Sequence, residues 1–125
     1  MDAQQLNWSE LPFEQVAPGF ERQMLWGERV MVARLHLKAG TTVPLHQHEN
    51  EQVSMCLSGQ IRLWLGAGGE QEHTLNAGDT LVIPGHLPHR AEVLADFEGL
   101  DIFSPPRQDW IEGSDAYLRQ APPQE

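Results

Sequence analysis

The stretch GTTVPLHQHENEQVSMCLSG, residues 40–59, decides how the rest of the chain is read. His46 and His48 are two residues apart, and along a strand residues i and i+2 project to one face. Gln52 follows after a three-residue spacer, and residues 53–57 then read as another strand ending at Gly59. A second stretch, GDTLVIPGHLPH at residues 78–89, brings His89 behind a strand and a Pro/Gly turn. Two strand–turn segments that each supply imidazole make a metal-binding pattern, with His46, His48, Gln52 and His89 as candidate ligands.

Outward from this pair of segments, strand signals continue in both directions. Residues 29–37, RVMVARLHL, are rich in β-formers and bounded by Gly40. Residues 42–48 form the next strand candidate. Residues 53–57 and 60–65 are joined through Ser58-Gly59, read as a hairpin, and GAGG at 66–69 closes a second turn. Residues 72–75, 80–83, 89–94 and 98–103 complete the set. Short strands separated by turns predict an all-β fold, a small antiparallel β-barrel or jelly roll.

Residues 1–19 read as a polar arm with Pro12 and Pro18 and one short strand carrying Leu11 and Phe13, while Phe20, Met24 and Leu25 read as packing. Ser104-Pro105-Pro106 stops the last strand. A short C-terminal helical segment is expected at 109–112, with a second at 114–120, and residues 121–125 should be frayed. With no repeat or linker in view, residues 1–125 are expected to form a single domain.

The formal net charge of −10 argues against nucleic acid and anionic membranes as partners, because both need clustered Lys or Arg. A small anionic ligand would need a local cation. No run is long enough to span a bilayer, and residues 1–6 lack the basic start and apolar core of a signal peptide, so a cytoplasmic location is expected. Cys56 is the single cysteine, which leaves a buried apolar filler rather than a disulfide half.

The two segments resemble the paired motifs of the cupins: Gly40, five residues, His46-x-His48, three residues, Gln52, six residues, Gly59; then Gly78, five residues, Pro84 and His89. The resemblance implies a barrel with metal in its mouth. Two positions depart from it, since Gln52 stands where the first motif carries Glu, and His86 where the second carries Gly. LDIFSPPRQDW at 100–110, together with HQHENEQ at 46–52, is similar to the KdgF-type cupins of pectin and alginate breakdown. Those proteins open 4,5-unsaturated monouronates to the linear 5-keto-4-deoxyuronate. The likeness implies His46, His48, Gln52 and His89 as ligands of a divalent cation, with Asp101, Phe103 and Arg107 on the reaction side and a small anionic sugar as substrate.

Read without the family, Asp101 and Phe103 share one face of a strand, with Leu100 and Ile102 on the other. Arg107 follows a double proline, and its planar fork suits a carboxylate held bidentately. Three neutral imidazoles and a neutral amide leave a dipositive charge uncompensated, so the site should attract an anion and act as a strong Lewis acid. Nickel, zinc, manganese and iron fit this donor set equally. Glu49 or Glu51 could replace Gln52 if the turn is irregular, His86 reads as a solvated turn residue, and His36 and His73 read as structural or exposed. Leu100 and Ile102, left uncovered, imply a homodimer. Two other functions fit the same pattern: a cupin dioxygenase, and a non-catalytic sugar-binding or sensing module.

Overall fold

The computed structural model describes residues 2–119. Its strands are β1 (Glu14–Ala17), β2 (Phe20–Trp26), β3 (Met31–Leu37), β4 (Thr42–His46), β5 (Glu51–Leu65), β6 (Gln71–Asn76), β7 (Thr80–Ile83) and β8 (His89–Ser104), all pairing antiparallel. Two short helices follow, α1 (Gln108–Glu112) and α2 (Ala116–Arg119). The all-β expectation holds, including the helical C-terminal segment. The frayed end expected at residues 121–125 lies outside the described residues.

β5 and β8 organise everything else. Residues 51–56 of β5 pair with residues 99–104 of β8, flanked by β7 on one side and by β3, β2 and β1 on the other. The other halves, residues 60–65 and 89–95, pair again and are flanked by β6 and β4. The same two strands therefore run through both layers and close them over one core.

Here the structure corrects the sequence reading. Ser58-Gly59 is no hairpin turn, because β5 runs straight through it and only the register slips between Cys56 and Ile61. Gly59 takes φ +84°, and a Cβ there would overlap the Asp96 carbonyl oxygen of β8. A glycine that looks like a turn is thus a bulge at which two strands bend together. Residues 89–94 and 98–103 likewise belong to the single strand β8.

Two further expectations near the N-terminus change. Leu11 and Phe13 lie in no strand; residues 8–10 form a 3-10 turn and β1 starts at Glu14. Phe20, Met24 and Leu25, read as packing residues, belong to a full strand, Phe20–Trp26. Its disguise is Arg22, an inward residue that breaks the apolar alternation and is 1% exposed. β3 shows the alternation clearly, with Met31, Ala33, Leu35 and Leu37 buried. Together with Ile61, Leu63, Val93, Phe97 and Phe103 these side chains fill the barrel.

Candidate metal centre

β4 ends at His46, so His48 sits in the following loop rather than in the strand expected to carry both. The two imidazoles still converge, with ring centroids 5.6 Å apart. His89 opens β8 and pairs directly with His46 across the ladder, their rings 4.2 Å apart. One nitrogen from each of His46, His48 and His89 lies within 4.8 Å of the others, a group that can hold a metal ion.

The backbone sets each ring. Nδ1 of His46 lies 2.8 Å from the Pro44 carbonyl, Nδ1 of His48 3.0 Å from that of Asn50, and Nδ1 of His89 2.8 Å from that of Leu87. A carbonyl only accepts, so each Nδ1 carries the hydrogen and each Nε2 keeps a free lone pair. Nε2 of His89 is buried with no hydrogen-bond partner among the described residues. Burial also keeps the rings neutral. It lowers the pKa of His46 to about 3, helped by the charge of His89, and that of His48 to about 4, helped by Arg107. His89 is lowered by the same desolvation.

Gln52 faces inward from β5 and is buried, while its neighbour Glu51 is exposed. Its Nε2 donates to Ser54 Oγ at 2.9 Å and to Asp101 Oδ2 at 3.4 Å, which turns Oε1 toward the histidines. Oε1 stands 3.1 Å from Nε2 of His48. With His48 neutral and its hydrogen on Nδ1, both atoms are acceptors and no hydrogen lies between them. A cation coordinated by both is what such a pair fits. Glu49 is exposed and outside the histidine group, so Gln52 is the fourth donor at hand.

Asp101 and Phe103 share the inner face of β8, as their spacing predicts. Asp101 lines the cavity beneath Gln52, keeping some accessible surface toward that space although it lies deep in the barrel. Desolvation raises its pKa to about 6, against a Ser54 hydrogen bond and the Arg107 charge, which both lower it. Phe103 is 1% exposed, edge-on to His48 and Trp110 with the Arg107 guanidinium 5.2 Å above its ring. It braces those groups and offers no open face.

Arg107 is buried beside the histidines, but its fork is engaged. Nε and Nη2 donate to Asp109 at 3.0 and 2.8 Å, and Nη2 also donates to the Tyr117 hydroxyl at 2.7 Å. The carboxylate it holds bidentately is therefore the chain's own.

Tyr117 is the residue that the sequence reading missed. Its ring stacks on His46 at 4.7 Å and lines both the inner cavity and the outer mouth. Burial raises its pKa, so it remains a neutral phenol at neutral pH. α2 holds it there through Asp115, which is fully buried between Arg22 at 2.6 Å and Arg119 at 2.6 Å; Arg119 reaches on to Glu14 at 2.8 Å. No local motif signals this. Only the fold brings residue 115 to residue 22.

Comparison with protein families matches residues 33–103, more than half of the chain, to the cupin domain. The chain belongs to the cupin family. Among solved structures, this cupin is similar to KdgF from Halomonas sp., with 27% identity, TM-score 0.79, and 87% of this chain and 99% of that one covered. It is also similar to an RmlC-like cupin from Shewanella frigidimarina NCIMB 400, with 26% identity, TM-score 0.78, and 86% and 96% covered. Oxalate decarboxylase from Bacillus subtilis, a protein with Mn(II) centres, shares the fold at 20% identity and TM-score 0.71, over 80% of this chain and 29% of that one. Comparison with curated protein sequences finds no match.

Proposed function

We propose that this cupin is a metal-dependent enzyme that opens the ring of 4,5-unsaturated monouronates to the linear 5-keto-4-deoxyuronate. The observation that carries the reading is the arrangement of three free Nε2 atoms and one amide oxygen above an interior carboxylate. The similarity to KdgF over nearly all of that protein's length supports it. His46, His48, Gln52 and His89 are the proposed ligands. When bound, a divalent cation supplies Lewis acidity to an oxygen in the cavity.

The substrate is a cyclic enol ether conjugated to a carboxylate. A proton must reach the olefinic carbon away from the ring oxygen, and water must add to the carbon that bears it. The resulting hemiketal then opens to a ketone. Breaking the hemiketal's bond to the ring oxygen leaves an aldehyde hydrate at the anomeric carbon, which sheds one water, so ring and linear forms are isomers and no oxidant or reductant is needed. Asp101, beneath the site, is the proposed carrier of these protons. Arg107 stands at the site with its charge partly balanced by Asp109, and reaches the ligand side through the Tyr117 hydroxyl to which it donates. Phe103 keeps His48 and Arg107 in place.

The conjugated chromophore absorbs in the ultraviolet and disappears on ring opening. Metal-loaded protein should bleach that absorbance, and chelator should stop it. Persistent absorbance with metal-loaded protein overturns the reading, and oxygen consumption would point to a dioxygenase instead.

A homodimer belongs to the same reading. Leu25, Val32, Ile102, Val53 and Val82 lie in register across β2, β3, β8, β5 and β7 on the outer face, with Val82 56% exposed. A second copy is the proposed cover for this row, and sedimentation as a monomer at micromolar concentration would contradict it.

A further inference from the structure

Resting on the reading of the ligand as a uronate, we propose that the Tyr117 hydroxyl, polarised by Arg107, is the hydrogen-bond donor that receives the ligand's carboxylate at the mouth of the site. The phenol oxygen accepts two hydrogen bonds, one from Arg107 Nη2 at 2.7 Å and one from Trp110 Nε1 at 3.2 Å. A phenol has two acceptor positions and one hydrogen. With both acceptor positions filled, the hydrogen is directed elsewhere, and among the described residues it meets no acceptor within hydrogen-bonding distance. The residue is half-buried and lines the mouth.

Position and charge agree with that role. Tyr117, Arg107 and His46 are shared between the inner cavity and the outer mouth, so the hydroxyl stands where a ligand passes toward the histidines. The bidentate grip expected of Arg107 is taken by Asp109, which removes the obvious seat for a carboxylate. Arg107 still acts through the phenol, because a cation donating to its oxygen makes the O–H a stronger donor. The exposed Glu49 shares the mouth, so a general basic field does not attract the anion; a directed donor is needed. The buried Asp115 contacts with Arg22 and Arg119 hold the helix that aims it.

The test uses nickel-loaded full-length protein with D-galacturonate and D-galactose as probes, which differ by the carboxylate. Calorimetry should show the wild type preferring galacturonate about tenfold or more, and Tyr117→Phe should cut that preference to about threefold or less, with metal stoichiometry unchanged. An equal preference in both proteins overturns the proposal, as does a wild type with no preference. Tyr117 is the single tyrosine, so 3-fluorotyrosine labelling yields one fluorine resonance and a readout that does not depend on a variant folding. That resonance should shift with galacturonate and stay fixed with galactose; no shift with galacturonate overturns the proposal. If both readouts succeed while unsaturated uronates are not turned over, the reaction falls and the donor stands. Normal turnover without carboxylate preference removes the donor and leaves the reaction in place.

Discussion

Nε2 of His48 and Oε1 of Gln52 face each other at 3.1 Å as two acceptors, each fixed from behind by its own hydrogen bond. Nickel or zinc should therefore bind and raise the melting temperature, and chelator should reverse the rise. Gln52→Glu replaces a neutral donor with a charged one and should tighten metal binding by about tenfold or more, roughly 1.4 kcal/mol, in a chelator competition. The same change cancels part of the site's positive charge, so galacturonate affinity should fall. Weaker metal binding in Gln52→Glu would remove Gln52 from the ligand set.

How far this site could be read from the sequence depended on whether its parts are local. His46, Gln52 and His89 converge because β4, β5 and β8 are neighbours and one side chain per strand is enough, while His48 joins them from the loop after β4. Asp101 and Phe103 were legible for the same reason: a period of two fixes the face. The engagement of Arg107 was not, since a fork suited to a carboxylate does not say which carboxylate fills it. Tyr117 was invisible because its place comes from Asp115 meeting Arg22 across the whole chain. Gly59 misled because turn and bulge make the same demand for positive φ.

The turn before His89 packs on the loop that holds His48. His86 N–H donates to the His48 carbonyl at 2.7 Å, and a Cβ on Gly85 would clash with the Glu49 carbonyl oxygen. Gly85→Ala should push the two loops apart, costing about 1–3 kcal/mol in denaturant unfolding. It should also weaken metal binding without touching any ligand. Wild-type metal affinity in this variant would show that the loops move independently.

His86 occupies the position where the cupin motif carries glycine, and its φ is 66°. A side chain in the left-handed region costs roughly 1–2 kcal/mol, partly offset by the greater freedom of glycine in the unfolded chain. His86→Gly should accordingly stabilise the protein by about 0.5–1 kcal/mol in urea unfolding. Because His86 is exposed, metal content should not change.

Acid should unfold the metal-free protein early. His46 and His48 have folded pKa values of about 3 and 4 against an ordinary 6.5, so the folded state binds fewer protons than the unfolded chain. Their contribution is fully present above pH 6.5 and drains away as the pH falls from there toward 4 and 3. Asp101 acts in the opposite sense. Its pKa is raised from 3.8 to about 6, so its contribution is complete below 3.8 and is lost as the pH rises through 6. Two imidazoles outweigh one carboxyl at every pH, so the melting temperature of the chelator-treated protein should climb steeply from the acid side and level off above about pH 7. A flat profile between about pH 4 and 7 would mean that these rings are solvated.

Asp101 and Gln52 touch through a single long contact of 3.4 Å, so proton carrier and proposed metal ligand can be separated by mutation. Asp101→Asn keeps the shape and the hydrogen-bonding capacity toward Ser54 but cannot exchange protons near neutral pH. Turnover of the unsaturated uronate should fall by about a hundredfold or more, the usual scale for a lost general acid or base. Metal stoichiometry should stay at the wild-type level, and the variant should gain stability above about pH 6, where the wild type must bury a charged carboxylate. Loss of metal along with activity would mean that Asp101 orients Gln52 as a ligand, and retained turnover would move the proton transfer to another group.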